Sequence, residues 1–331
     1  MTGVAFRDII FGMKATTEKP FPKNYEEFLD WFQTEDDCRD YLEWVRWPNG
    51  FACPKCGCKE YWKTSGGLRR CKKCEFKCSV RTGTVFEDGH KSLRLWFHVM
   101  WLMMAQKTGM SAKNFHDAFG FGSYQTSWAW LQKLRSVMIR AGREQLDGRI
   151  ELDETYIGGQ KEGKRGRGAE AKTLVLVAIE GESAKKLGRV RFRIINHASS
   201  ADITPFVKEC IKPGATIVTD GLKSYTFLDG VGYRHESYVQ TGKSVQIDEN
   251  KSRLEHVHLV ISLLKRWLLG THQGSVTPHH LSEYLDEFAF RFNRRTSKHR
   301  GKLFYRLIQQ AITTRAENTK DLYRRPRKEA K

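Results

Sequence analysis

Residues 149–159 read RIELDETYIGG, and residues 215–221 read ATIVTDG. Each is an apolar or alternating run of the kind that forms a β-strand, and each carries an aspartate. Asp153 lies inside or at the end of the first run, and Asp220 closes the second. A strand aspartate among apolar neighbours is costly to ionise unless it is paired or bound to metal. Two of them on neighbouring strands can bridge a pair of divalent cations, the arrangement that two-metal sites use in phosphoryl transfer. Either aspartate alone is weak evidence. Asp-Gly is a common turn pair, which accounts equally well for Asp220. Glu154 follows Asp153, so strand alternation decides which acid faces a site.

Around these runs the pattern stays β-rich. TLVLVAIEGE (173–182) and RVRFRIINH (189–197) read as strands, ADITPFVKECIKPG (201–214) as a helix and GYRHESYV (232–239) as a short strand. Three strands, helix, strand, short helix, strand is an α/β order with a mixed five-stranded sheet. QKEGKRGRGAEAK (160–172) is a long basic connection, expected to protrude as a solvated or DNA-contacting loop. LEHVHLVISLLKRWLLG (254–270) reads as a helix that places His258, Ser262 and Lys265 on one face, with Glu255 one turn before His258.

The N-terminal half is organised differently. NYEEFLDWFQTEDDCRDYLEWVRW (24–47) predicts two short helices, with Thr34 capping the second. KSLRLWFHVMWLMMAQKTG (91–109), SAKNFHDAFGFG (111–122) and SYQTSWAWLQKLRSVMIRAG (123–142) predict three more. The short helix, glycine turn and longer helix of the last two suit a helix-turn-helix. The expected organisation is a helical segment at 1–50, a zinc ribbon at 51–86, a helical DNA-binding region at 87–146, a catalytic core at 147–300, and a C-terminal helix with basic tail at 301–331.

Cys53 and Cys56, then Cys71 and Cys74, form two CxxC pairs 14 residues apart. Two such knuckles joined by a hairpin can place four thiolates around one Zn²⁺, leaving no open position for a reacting group, so the zinc would be structural. Cys58 could stand in for Cys56 and Cys78 for Cys74, while Cys38 and Cys210 suit core packing. Lys55, Lys59, Lys63, Arg69, Arg70, Lys72 and Lys73 make this ribbon a candidate DNA-binding surface.

The 331 residues hold 57 Lys and Arg against 38 Asp and Glu, a formal charge of +19 that points to nucleic acid as partner. Nine Trp and 19 Phe exclude a wholly disordered chain. The longest apolar stretch, at 96–105, is interrupted by His98 and falls short of the ~20 residues that cross a bilayer. The N-terminus lacks a secretion-signal pattern, so the cytoplasm is the expected compartment.

The order CxxC…CxxC, LDETYIGG, TDGLKSY, SLLKRWLLGTH and YLDEFAFRFNRR resembles bacterial insertion-sequence transposases with an N-terminal zinc ribbon, the IS-fifteen-ninety-five family of DDE-type transposases. The likeness runs from about Phe51 to Arg295, and YLDEFAFRFNRR (284–295) is its most specific piece. It implies an RNase H-like core with Asp153 and Asp220 as the first two catalytic residues. The third position, seven residues before Lys265, falls on His258, where much of the family has Glu or Asn. This makes the chain a variant with two aspartates, a histidine and the lysine. A neutral imidazole brings no charge and suits hard Mg²⁺ less than a carboxylate, so the catalytic Mg²⁺ or Mn²⁺ site is expected to show a greater Mn²⁺ preference than a three-carboxylate site would. Glu255 is the alternative third ligand.

Glu287, Arg291 and Arg294 match the family's Glu and the Arg four and seven residues on. Lys265 and the two arginines would orient phosphates, and Glu287 would support them or brace the arginines. The implied activity is nicking at the ends of a mobile element and joining of the 3′-OH to target DNA by two-metal phosphoryl transfer. The partners would be double-stranded DNA and further copies of the chain, at a bacterial nucleoid, with no membrane and no small-molecule cofactor. A catalytically impaired DNA-binding regulator and a metal-dependent nuclease without strand transfer are the alternatives.

Overall fold

The structure is a computed structural model that describes residues 21–65, 67–87, 91–140, 142–158, 172–183, 186–238, 254–274 and 276–315. The described residues up to Arg140, with those from Thr296 onward, form one compact unit, and those between Ala141 and Arg295 form a second.

The first unit opens with helices α1 (Tyr25–Trp31) and α2 (Glu35–Arg46). Thr34 caps α2 through a reciprocal box with Asp37, as its position before an acidic first turn predicts. A small antiparallel sheet of β1 (Tyr61–Lys63), β2 (Arg69–Cys71) and β3 (Lys77–Cys78) follows. Helix α3 (Leu93–Ala105) is apolar on most sides and buries Trp96, Phe97, Met100 and Trp101. Ser92 caps it, and Glu35 accepts the Leu93 and Arg94 amides at 2.8 and 3.0 Å. Helices α4 (Ala112–Phe119) and α5 (Tyr124–Ser136) pack against each other across a turn in which Gly120, at φ 60°, closes α4.

The second unit is a five-stranded sheet in the order β6-β5-β4-β7-β8. Strands β4 (Arg149–Ile157), β5 (Thr173–Ser183) and β6 (Lys186–Ile195) pair antiparallel. Strands β7 (Thr216–Asp220) and β8 (Arg234–Tyr238) run parallel to β4. Helix α6 (Ser200–Cys210) carries the chain from the edge strand β6 across the sheet to β7, which pairs parallel with β4. A 3-10 helix, Lys223–Val231, connects β7 to β8.

Leu174 to Ile179 of β5 are all buried because helices cover both faces of the sheet, hence the unbroken apolar run. One face packs Ile150, Leu152 and Ile217 against Phe206, Val207 and Tyr225. The other packs Val175, Val177 and Val218 against α7 (Glu255–His272) and α8 (Leu281–Phe292). The apolar stripe Val257, Val260, Ile261, Leu264, Leu268 has helical spacing and seats α7 on the sheet. Asn293 completes the edge strand β6: its side chain accepts the Val190 amide at 2.7 Å and donates to the Val190 carbonyl at 3.1 Å.

The last described helix, α9 (Arg300–Ala311), belongs to the first unit. Its Phe304 sits among Phe28, Phe32, Tyr41, Phe97 and Trp101. The basic segment 160–171, which joins β4 to β5, lies outside the described residues. So do the N-terminal 20 residues and the charged tail from 316. Among the described residues no helix is long and apolar enough to cross a membrane.

Candidate catalytic and zinc sites

Strand alternation settles which acid of the LDE triplet looks where. Parallel pairing joins Arg149 to Thr216, Ile150 to Ile217 and Glu151 to Val218. Carried two residues further at the same offset, this register sets Asp153 level with Asp220. Both aspartates share the parity of Glu151 and Val218, so they face the α7 side. Glu154 faces the opposite side, where the buried Tyr225 donates its hydroxyl proton to the Glu154 carboxylate at 2.6 Å.

Asp153 is hemmed in. Its Oδ1 accepts the Glu154 amide at 2.8 Å, and its Oδ2 lies 3.2 Å from His258 Nε2. Burial holds the Asp153 carboxyl above the ordinary aspartate range, and the charge of Asp220 pushes the same way. The Glu154 amide and His258 pull it down. Asp220 terminates its strand and accepts the Leu222 amide at 3.0 Å, so its turn geometry coexists with a place at the site. His258 and Asp153 therefore touch. The three donor groups do not yet form a tight cluster: among the described residues only the cysteine group brings three or more ligand atoms within 4.8 Å of one another. Two carboxylates level on adjacent strands, with an imidazole against one of them, fit a divalent cation of mixed oxygen and nitrogen preference.

Lys265 lies two turns along α7 from His258. Desolvation lowers its pKa and nearby Lys172 adds to this, while Asp153 opposes it. Glu255 is exposed in the first turn of the same helix. Glu287 is fully buried on α8, with Arg291 Nη1 3.4 Å from its carboxylate. Arg294 stacks over Phe290, its guanidinium carbon 3.9 Å from the ring centroid, and donates to the Phe290 carbonyl. Glu287 thus braces Arg291 from inside the core.

Sequence reading missed Glu151. It is 3% exposed, accepts the Val257 amide at 2.9 Å and meets His256 Nδ1 at 2.6 Å. The period-two spacing from Asp153 was the available signal. Nothing in the sequence revealed Tyr225 or Asn293 as partners, because their contacts cross long stretches of chain.

In the ribbon, Cys53 and Cys74 sulfurs lie 3.6 Å apart, as do those of Cys56 and Cys71. Tetrahedral Zn–S bonds of about 2.3 Å set sulfurs roughly 3.8 Å apart, so the donor set fits zinc. The two knuckles repeat one geometry. Gly57 and Glu75, at φ 72° and 57°, donate their amides to the Cys53 and Cys71 carbonyls. Cys58 and Cys78 lie outside the four-sulfur group. This is a structural zinc site.

One expected surface residue is not on the surface. Arg69 is 8% exposed, paired with Glu43 at 2.5 and 2.6 Å and enclosed by Trp47 and Tyr61. It alternates inward on β2, whereas Arg70 alternates outward beside the half-exposed Trp62.

Three antiparallel strands continued by two parallel ones, with helices on both faces, make the RNase H-like fold. Residues 145–293 match the ISXO2-like transposase domain and residues 33–77 the transposase zinc-ribbon domain, so the chain carries both domains of a zinc-ribbon transposase.

Over 281 residues the chain is 27% identical to a Halobacterium salinarum protein described as "Uncharacterized protein in transposable element ISH50", spanning 78% of this chain and 91% of that one. A Haemophilus influenzae "Uncharacterized transposase-like protein" is 24% identical over 119 residues, which is 36% of this chain and 93% of that one. The crystal structure of the BIV integrase catalytic core domain shares 16% identity, covers 43% of this chain and 81% of that chain, and has a TM-score of 0.28.

Proposed function

We propose that this transposase nicks the ends of its mobile DNA element and joins the freed 3′-OH to target DNA, with Asp153, Asp220 and His258 as the ligands of catalytic divalent cations. The observation that carries the reading is the β4–β7 register through Glu151 and Val218, which extended by two residues sets Asp153 level with Asp220, together with His258 3.2 Å from Asp153. Two divalent cations held there would supply activation of the attacking oxygen and stabilisation of the leaving one.

The protein's own groups have definable tasks. Asp153 would hold a cation in its ionised form, and the cation's charge would offset the burial that raises the Asp153 pKa. Lys265, two turns from His258, is the positive group for a phosphate at the scissile position. The basic charge of the chain draws DNA, and affinity should fall steeply with salt. Pairing of two element ends calls for at least two copies of the chain on DNA.

The test is a cleavage and joining assay on the DNA that flanks the gene, with Mg²⁺ or Mn²⁺, comparing wild type with Asp220→Ala and His258→Ala. The expected result is metal-dependent joining lost in both variants. Cleavage without joining would replace this reading with a nuclease, and binding without cleavage in any metal would replace it with a DNA-binding regulator.

A further inference from the structure

The stretch Glu151-Leu-Asp-Glu154 sets three carboxylates within four residues of the central strand β4. Only Asp153 is a proposed ligand. Glu151 reaches the helix that carries His258, and Glu154 reaches the 3-10 helix that follows the Asp220 turn.

Glu151 reaches α7. The N-cap position of that helix, Leu254, provides no side-chain acceptor for the orphan amides of the first turn. Glu151 supplies it from the neighbouring strand: Oε2 accepts the Val257 amide at 2.9 Å, and Oε1 lies 2.6 Å from His256 Nδ1. A carboxylate at a helix N-terminus also complements the helix dipole. The His256 ring rests on Gly181 of β5, where an added Cβ would stand 3.1 Å from Nδ1, so the cap has little room to shift. Val257 immediately precedes His258.

Glu154 reaches the turn beyond β7. It accepts a hydrogen bond from the hydroxyl of Tyr225, a fully buried side chain five residues past Asp220, on the opposite face of the sheet. The same turn is closed on its near side by the Leu222 amide on Asp220.

We infer that Glu151 and Glu154 are positioning residues: Glu151 locks the helix of His258, and Glu154 with Tyr225 locks the turn of Asp220, to the strand of Asp153. One strand then carries the first ligand and sets the spacing of the other two. This rests on the metal-site reading above.

The experiment uses the full chain as wild type, Glu151→Gln, Tyr225→Phe and Asp153→Asn. Amide hydrogen exchange is measured on the metal-free protein, and Mn²⁺ binding by calorimetry. Glu151→Gln should speed exchange in residues 254–259 but not in the second half of α7. Tyr225→Phe should speed it in residues 220–228. Both should weaken Mn²⁺ binding by about 10- to 100-fold, the usual effect of losing a residue that supports a metal ligand. Joining by both should recover at high Mn²⁺, whereas Asp153→Asn should not recover. Wild-type exchange and Mn²⁺ affinity in both strut variants, or a uniform loss of protection across the sheet, would overturn the inference. Undiminished Mn²⁺ binding by Asp153→Asn would instead overturn the metal-site reading, and the local exchange result would still report on the cap.

Discussion

His258 Nε2 stands 3.2 Å from Asp153 Oδ2, although the two residues lie on a helix and a strand more than a hundred positions apart. In the proposed site the imidazole stands in for a third carboxylate. His258→Glu should therefore raise the Mg²⁺-supported joining rate relative to the Mn²⁺-supported rate, because a carboxylate suits hard Mg²⁺ better. His258→Ala should abolish joining in either metal, because it removes a proposed ligand outright. The measurement is the ratio of joining rates in the two metals, and an unchanged ratio in His258→Glu would remove His258 from the ligand set.

The ribbon has a very small apolar core, in which Phe51, Cys53, Cys71 and Cys78 are the buried members. Such a core cannot hold three short strands without its metal, whose binding in comparable sites is worth about 10–16 kcal/mol. Chelation should release one zinc equivalent and abolish the near-ultraviolet signal from Trp47, Phe51 and Tyr61. Cys56→Ser should do the same. Retention of that signal after zinc release would count against a structural zinc.

The outward face of the ribbon aligns Trp62, Arg70 and Lys77 across its three strands, with Lys72 5.9 Å from the Trp62 ring centroid. If this face meets DNA, Lys77→Ala should weaken binding across all sequences and lower the slope of log affinity against log salt by about one. Trp62→Ala should weaken binding without changing that slope. Arg69→Ala should instead loosen the ribbon, since Arg69 is paired with Glu43. Salt titrations of DNA binding, with thermal melts of each variant, separate these outcomes.

Asp286, on α8, is pushed up to about 7 by burial, with Glu283 adding to the shift and Arg143 opposing it. An unfolded aspartate titrates near 3.9. Between those values the folded chain keeps a proton that the unfolded chain has lost, so this group lowers stability as pH rises from about 4 to about 7, and no further above that. Asp286→Asn should match wild type near pH 4 and exceed it by about 2 to 4 kcal/mol at pH 8. Denaturant melts of both proteins across that range provide the check, and a constant difference at every pH would refute the assignment.

The element order and the location of each aspartate were legible in the sequence because they follow from local periodicity. RIELDETYIGG alternates, TLVLVAI does not, and the helices carry their own caps at Thr34, Ser92, Ser111 and Ser123. The four-cysteine spacing was legible for the same reason, since each knuckle is a local turn. The tertiary structure alone decided how the acids of β4 divide. Asp153 turns to α7, Glu151 caps that helix and Glu154 anchors Tyr225, because their partners arrive from segments 71 to 106 residues away. It also decided that Arg69 is buried rather than offered to a partner, and that the C-terminal helix α9 completes the aromatic core of the first unit. Strand parity sets which face a side chain takes, but only packing determines what waits on that face.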